Sequence, residues 1–384
     1  MTNEAHIAGT GTAVPYPIST EQYLAHDRKI REHNGQSEQT IKMIERLTLG
    51  TGIHTRHYVH PHWLPQGKQP SDYPDAVDVS LTDDIFTPHD YIPPYHERMK
   101  VFHDTAVKLA VKAARKALAD WGGDPSQISH LITTCTSGWS EPGIAVEVIR
   151  QLGLPLDCQK AELNFNGCFC GATCLRMARD AVRGGDASGV LVVAVETAST
   201  HYDLNATDTS SLVAHSLFAD GAAAVILAPQ GRWKYTGTGM SLVPDSTALL
   251  GLDPPKSPEH SAYRMTLDKG VGPALGGYLQ SERGSSLLDK LEASGEGIKP
   301  GLAIHPGGPN ILHHVGQAFM ARGWEENALD HSYDTLRGVG NLGAAAMLFV
   351  LARNLEKVKE DKLITMAFGP GVTIEWATLE RAST

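Results

Sequence analysis

Residues Gly189–Val195 read GVLVVAV, with no polar side chain on either face. A strand with one wet face alternates apolar and polar residues, whereas a strand covered on both faces does not. The pattern returns at Gly221–Leu227, GAAAVIL. Strands of this kind need helices above and below them, which makes the chain a layered α/β protein.

The rest of the chain fits that frame. Ala5–Val14 reads as a strand ending at Pro15, and Glu21–His33 and Glu38–Leu49 read as helices. His103–Trp121 carries Val107, Leu109, Val111, Ala114 and Leu118 at roughly helical spacing. His130–Ser137 and Lys160–Asn164 are strands, and Gly143–Leu152 and Phe169–Val182 are helices. The second half repeats the scheme. Strands are expected at Gly301–Ile304, Leu363–Phe368 and Val372–Trp376, with helices at Asn310–Met320 and Gly340–Leu355. We therefore expect two duplicated α/β halves, residues 1–232 and 233–384, meeting near Pro229–Lys234. His60–His96 is aromatic, proline-rich and aperiodic, and reads as a long surface excursion of unassigned role.

Charge and cysteine content exclude several classes. The net charge of −10 disfavours nonspecific nucleic-acid binding, which needs a basic surface. No run approaches the roughly 18 apolar residues of a membrane span. The start MTNEAHIAGTG lacks a basic segment followed by an apolar one, so no secretory leader is expected. Five cysteines, three of them crowded at Cys168, Cys170 and Cys174, suit a reducing compartment, and a cytoplasmic protein is expected. Their spacing matches no zinc template, and no metal is expected. Gly9-Thr10-Gly11 is followed by Thr-Ala-Val-Pro, which is not a dinucleotide fingerprint.

Three positions carry chemistry. In NFNGCFCGATC, Cys168 follows Gly167 at a strand-to-helix junction. Helix N-terminal amides there favour a thiolate nucleophile, and the competing reading is a small buried hydrophobe. In LAIHPGGPNIL, His305 ends a short strand before a glycine turn, as a site residue or a structural one. In GVGNLGAAAML, Asn341 precedes an alanine-rich helix, where it caps the helix or donates to an oxyanion. Together they supply a nucleophile, a base and an oxyanion donor, although spacing alone does not place them side by side.

The motifs NGCFCGATCLRMARD, SLVAHSLFADGAAAVIL, HPGGPNIL, GNLGAAAMLFVL and FGPGVTIE, in this order, resemble the type III polyketide synthases, the chalcone-synthase-like branch of the thiolase superfamily. TGIHTRHYV and CTSGWSEPG support the likeness. The resemblance implies a thiolase-like five-layered αβαβα fold and a homodimer. It implies that Cys168 carries the acyl chain with His305 and Asn341 as partners, that acyl-CoA and malonyl-CoA are the substrates, and that no other cofactor is required. It also implies Phe218 as a gatekeeper ring. Arg46, Lys42, Arg56, Gly307, Gly308 and Asn310 are implied at the coenzyme A mouth, and Thr136, Ser137, Glu141, His201, Tyr263 and Gly343 in the cavity.

Gly343 stands where chalcone-forming relatives carry serine, which suggests a wider channel. TGIHTR is closer to microbial enzymes that make alkylpyrones and alkylresorcinols. Both point to an aliphatic acyl-CoA starter of medium or long chain, giving tri- or tetraketide pyrones or resorcinolic products. The alternatives are a ketoacyl synthase III-type enzyme, condensing once with malonyl-acyl carrier protein, and a noncatalytic interaction protein.

Overall fold

The computed structural model describes residues 4–59, 73, 75–77, 95–203, 206–254, 263–292 and 299–382. Most of the excursion at His60–His96 lies outside the described residues. The chain opens with β1 (His6–Ala13), β2 (Pro17–Ser19), α1 (Thr20–His33), α2 (Glu38–Gly50) and β3 (Thr55–His57). The first half continues through α3 (Tyr95–Trp121), β4 (His130–Cys135), α4 (Ile144–Leu152), β5 (Gln159–Asn164), α5 (Cys170–Gly184), β6 (Val190–Thr197), α6 (Thr209–Leu217) and β7 (Asp220–Ala228). The second comprises β8 (Trp233–Leu242), β9 (Leu250–Asp253), β10 (Arg264–Leu267), α7 (Val271–Gln280), α8 (Glu282–Glu292), β11 (Gly301–Ile304), α9 (Pro309–Met320), α10 (Asp330–Val339), α11 (Ala346–Lys357), β12 (Lys362–Gly369) and β13 (Thr373–Arg381).

Among the described residues the main sheet has nine strands in the order β11-β12-β13-β8-β1-β7-β6-β4-β5. Its two arms follow one plan. In the first, β1 and β7 are antiparallel, β7 and β6 antiparallel, and β6 and β4 parallel. In the second, β8 and β13 are antiparallel, β13 and β12 antiparallel, and β12 and β11 parallel. A short antiparallel contact, His6 with Lys234 and Ile7 with Trp233, joins the arms.

Three apolar cores fill the spaces between layers. One lies between the arms, where α5 and α11 pack with the buried faces of both. A second lies under α3 and α4 on the outer face of the first arm. The third packs α7, α8 and α9 on the outer face of the second arm. The succession is helices, sheet, helices, sheet, helices, the expected five layers. Both uninterrupted apolar runs become central strands, and every residue of β6 and β7 is buried.

Some local expectations shift. The helix expected from His103 begins at Tyr95. The helix expected from Gly340 begins as an α-helix only at Ala346, after Asn341 has entered a β-bridge with Phe218 and Gly343–Ala345 has made a 3₁₀ turn. Among the described residues no helix is long and apolar enough to cross a membrane.

Glycine in β1 is dictated by α3. A Cβ at Gly11 would stand 2.3 Å from the Ala113 carbonyl oxygen and 2.5 Å from the Ala117 nitrogen, both backbone atoms of that helix. Gly11→Val should therefore push α3 off the sheet and cost about 3 kcal/mol, the upper part of the usual overpacking range. Urea unfolding checks this, and an unchanged midpoint would mean that α3 is not seated against β1.

Candidate active site

Cys168 sits in the turn between β5 and α5. Gly167 before it has φ +86, a left-handed value that favours glycine. A Cβ there would also lie 2.2 Å from Cδ of Pro370, so the Gly369-Pro370-Gly371 turn after β12 rests directly on the nucleophile loop. The Gly167 N–H donates to Oγ1 of Thr136 at 3.2 Å, fixing the loop from the end of β4.

The second arm meets this loop from across the central layer. A Cβ on Gly171, in the first turn of α5, would stand 2.3 Å from the Ala344 carbonyl oxygen. Gly171 follows Cys168 closely, and Ala344 follows Asn341 closely, so the approach draws their segments together. The Asn341 N–H donates to the Leu217 carbonyl at 2.9 Å, and its own carbonyl accepts from the Ala219 N–H at 3.0 Å. These bonds clasp Phe218 on both sides. In the side chain, Oδ1 accepts from the Gly343 N–H at 3.0 Å and Nδ2 donates to the Gly307 carbonyl at 3.2 Å. Asn341 thus fastens the following turn through its oxygen, while its amide reaches the HPGGP turn.

His305 lies at the end of β11, 2% exposed, and its N–H donates to the Met366 carbonyl at 2.8 Å. A Cβ on Gly307 would stand 3.2 Å from the ring Cδ2 and 3.3 Å from Nε2, so the imidazole lies over the residue whose carbonyl Asn341 engages. Its Nδ1 is buried with no hydrogen-bond partner among the described residues. Burial lowers the His305 pKa to about 3, so the ring is neutral at ordinary pH.

A cavity of about 320 Å³ is lined by Cys168, Phe218, Thr136, Ser137, His201, Tyr263 and Gly343 together with Glu196 and Pro370. That volume is at the small end of the roughly 300–1,000 Å³ of ligand pockets. Much of its wall is apolar, from Ala198, Ala206, Ala214, Leu250, Leu252 and Met265. Glu196 is 2% exposed, and its carboxylate accepts from the N–H groups of Thr136, Ser137 and Ala344 at 3.0–3.2 Å. Burial raises its pKa against the pull of these donors.

Four expectations need correction. The Cys168 thiol is not acidified by the helix end. Burial, with the nearby Glu196 carboxylate second, pushes its pKa up to about 12, and the local backbone N–H opposes this only in part. Gly343 does line the cavity, but it does not serve to widen it. Its φ is +53, and a Cβ would stand 2.9–3.0 Å from the Glu196 side chain, so the close approach of Glu196 demands glycine. Arg56 is not at a coenzyme A mouth. It is fully buried, donates to Thr20 Oγ1 and the Ser216 carbonyl at 2.9 Å each, and lies over the Tyr23 ring. Glu141 does not line the cavity. The loop beyond Ser137 turns outward, leaving Trp139 52% exposed and Glu141 exposed after it.

The remaining mouth candidates lie at the surface or in the turn. Lys42 and Arg46 are exposed on α2, Lys42 paired with Glu38 at 3.4 Å. Gly307 and Gly308 are buried in the turn before α9, and exposed Asn310 donates to the Lys269 carbonyl at 3.2 Å. Sequence reasoning missed two walls. Ser211, Ala214 and His215 line the cavity from α6, on the helical face that leads to the expected Phe218, a signal that was present. Leu250, Leu252, Arg264 and Met265 line it from the β9–β10 hairpin, whose short half-exposed strands give little periodicity.

Comparison with known proteins places these observations in a family. Residues 80–230 match the model for chalcone and stilbene synthases, N-terminal domain, and residues 285–382 match that for the C-terminal domain. A bisdemethoxycurcumin synthase of Oryza sativa subsp. japonica is 28% identical, covering 99% of this chain and 93% of that protein. The alpha-pyrone synthesis polyketide synthase-like Pks18 of Mycobacterium tuberculosis is 30% identical over 73% of this chain and 72% of that protein. Among solved structures, PKS-I of the brown alga Ectocarpus siliculosus superposes with a TM-score of 0.85 at 24% identity, covering 100% of this chain and 99% of that one. A type III pentaketide synthase of Neurospora crassa gives 0.81 at 26% identity, covering 98% and 100%.

The raised thiol pKa has a direct readout. Alkylation of Cys168 by iodoacetamide, followed by mass spectrometry, should be slow at pH 7. It should climb about tenfold per pH unit toward pH 10, because the thiolate fraction rises tenfold per unit below the pKa. A plateau already reached near pH 7 would show that a base holds the thiol proton in the resting protein.

Proposed function

Since the chain belongs to the chalcone and stilbene synthase family, the type III polyketide synthases, we propose that it builds polyketides by repeated decarboxylative condensation of malonyl-CoA onto an aliphatic acyl-CoA starter held on Cys168. The observation that carries the proposal is the single cavity onto which Cys168, Phe218 and Gly343 all open, with the Asn341 backbone clasping Phe218.

In the first step the Cys168 sulfur attacks the starter thioester carbonyl, and coenzyme A leaves as the thiol. Neutral His305 accepts the cysteine proton, and the sulfur becomes nucleophilic only as it is given up. Malonyl-CoA then loses carbon dioxide, and the electron pair of the broken C–C bond becomes an enolate. One N–H of the Asn341 carboxamide is engaged by Gly307; the other, with the imidazole of His305, donates to the enolate oxygen. The enolate carbon attacks the Cys168 thioester, a C–C bond forms, and Cys168 leaves as thiolate. The β-ketoacyl-CoA product can reload Cys168 for another round. Phe218 shields the decarboxylation from water. Arg46, Lys42 and the Gly307–Asn310 turn receive the coenzyme A, with Arg46 suited to its phosphates.

The mostly apolar wall supports an aliphatic starter, and the modest volume favours medium chain length. Pyrones are the favoured products, since the mycobacterial relative is named for alpha-pyrone synthesis. A homodimer is the proposed assembly. β5 is an edge strand of the main sheet, and Trp139 and Leu156 are exposed near it.

Two measurements test the chemistry. Asn341→Ala should lower condensation by about 10²–10³-fold, as for loss of one oxyanion donor, while leaving acylation of Cys168 by starter mostly intact. Equal loss of both would remove Asn341 from the enolate step, and Cys168→Ala should abolish chain growth altogether. For the starter, a panel of aliphatic and aromatic acyl-CoAs with malonyl-CoA, read by mass spectrometry, should give several condensations on free coenzyme A with aliphatic starters. Turnover confined to aromatic starters would reject the aliphatic reading. A single condensation requiring acyl carrier protein would reject the iterative one.

A further inference from the structure

Tyr263 joins three parts of the molecule that are distant in sequence. It immediately precedes β10 in the hairpin wall and lines the cavity. Its ring centroid lies 5.3 Å from that of Phe165, tilted at 32°, and 5.3 Å from that of His201, edge-on at 82°. These are the separations and angles of favourable aromatic pairs. Phe165 belongs to the nucleophile loop, just before Gly167 and Cys168. His201 is fixed by its Nε2, 2.6 Å from the Ser137 carbonyl at the opposite wall.

The order of these rings matters. Tyr263 and His201 face the cavity, whereas Phe165 stands behind Tyr263, is 38% exposed and does not line the cavity. Among the described residues, Tyr263 is therefore the ring that stands between the cavity and Phe165 on the side of the Cys168 loop. Phe165 holds φ +57, a strained conformation for a bulky residue, and the packing of its ring on Tyr263 is what that conformation achieves. The neighbouring wall presents Leu250, Leu252 and Met265, with the Arg264 guanidinium paired to Asp208 at 3.4 Å. Burial lowers the His201 pKa to about 4, so this end of the cavity carries no imidazolium to repel a hydrocarbon chain.

We propose that Tyr263, braced by Phe165 and His201, is the stop that sets the length of the acyl chain the cavity accepts. The inference rests on acylation of Cys168 by an aliphatic starter, as proposed above. With the ring present, a chain attached to Cys168 and directed along the hairpin ends against it. With the ring removed, the chain continues between Phe165 and His201 toward the surface.

The test measures kcat/KM for dodecanoyl-CoA and hexanoyl-CoA, with malonyl-CoA, in the wild type and in Tyr263→Ala, Tyr263→Leu and Tyr263→Phe. Each methylene admitted to an apolar site is worth tenfold or more. Tyr263→Ala should raise the dodecanoyl-to-hexanoyl ratio at least tenfold, and Tyr263→Leu should raise it less. Tyr263→Phe, which keeps the ring, should leave it unchanged. Hexanoyl loading of Cys168, read by intact mass, reports that each variant is folded, and Tyr263→Leu carries the test if the alanine variant fails to load. A ratio that stays at the wild-type value in a loading-competent variant overturns the stop, as does an equal rise in Tyr263→Phe. Failure of every acyl-CoA to load wild-type Cys168 overturns the acylation reading instead, so the two failures are distinct.

Discussion

The site depends on one buried carboxylate held by backbone amides. Glu196, at the end of β6, is enclosed by the protein and accepts from Thr136 and Ser137 after β4 and from Ala344 before α11. A carboxyl group buried without hydrogen-bond partners is costly, so these N–H groups must stay where they are. The loops that carry them are thereby fixed. One shapes the cavity wall, and the other follows Asn341 directly. The two arms of the sheet share a short ladder between β1 and β8, and this polar joint, with the Phe218–Asn341 bridge, ties them together again at the cavity.

The joint also governs the nucleophile. A helix N-terminus stabilises a nearby anion by about 0.3–1 kcal/mol, whereas burial of an ion costs several. Cys168 lies near the start of α5, yet burial dominates and Glu196 adds to it. His305, enclosed with no cationic or anionic neighbour setting its pKa, is neutral for the same reason. At rest Cys168 is therefore a thiol and the His305 imidazole is neutral. Neutral groups are the stable forms in an interior of low dielectric. The Asn341 carboxamide is held on both sides, by the Gly343 N–H and the Gly307 carbonyl.

Much of this was legible in the sequence where the physics is local. Unbroken apolar runs declared strands covered on both faces, and β6 and β7 are such strands. Cys168, His305 and Asn341 could be picked out because each sits where a tight turn meets an element end. What could not be read was long-range. Arg56 looked like a surface cation, but its guanidinium closes an interior gap among Thr20, Ser216 and Tyr23. Gly343 looked like a vacancy, but the space beside it is filled by a residue 147 positions earlier in the chain, Glu196. The hairpin of β9 and β10 was missed because strands only four residues long, mostly half-buried on both faces, carry too few side chains to establish a period.

The duplicated plan explains how the residues of chemistry and those of selection come to be separated. β1-β7-β6-β4 and β8-β13-β12-β11 run in the same sequence of directions, and α5 and α11 fill the layer between them. Cys168 precedes α5, and Asn341 precedes α11, so the two residues stand at corresponding helix entrances. His305 comes from the end of β11, the counterpart of β4. These positions are immobilised by central-layer packing, in which a methylene lost or gained is felt throughout. The β9–β10 hairpin belongs to neither repeat and forms its own two-stranded sheet. It touches the cavity through side chains that no central strand depends on. A change there can alter the shape of the enclosed space without moving the sulfur, the imidazole or the carboxamide. In this architecture one wall of the cavity can vary independently of the positions of Cys168, His305 and Asn341.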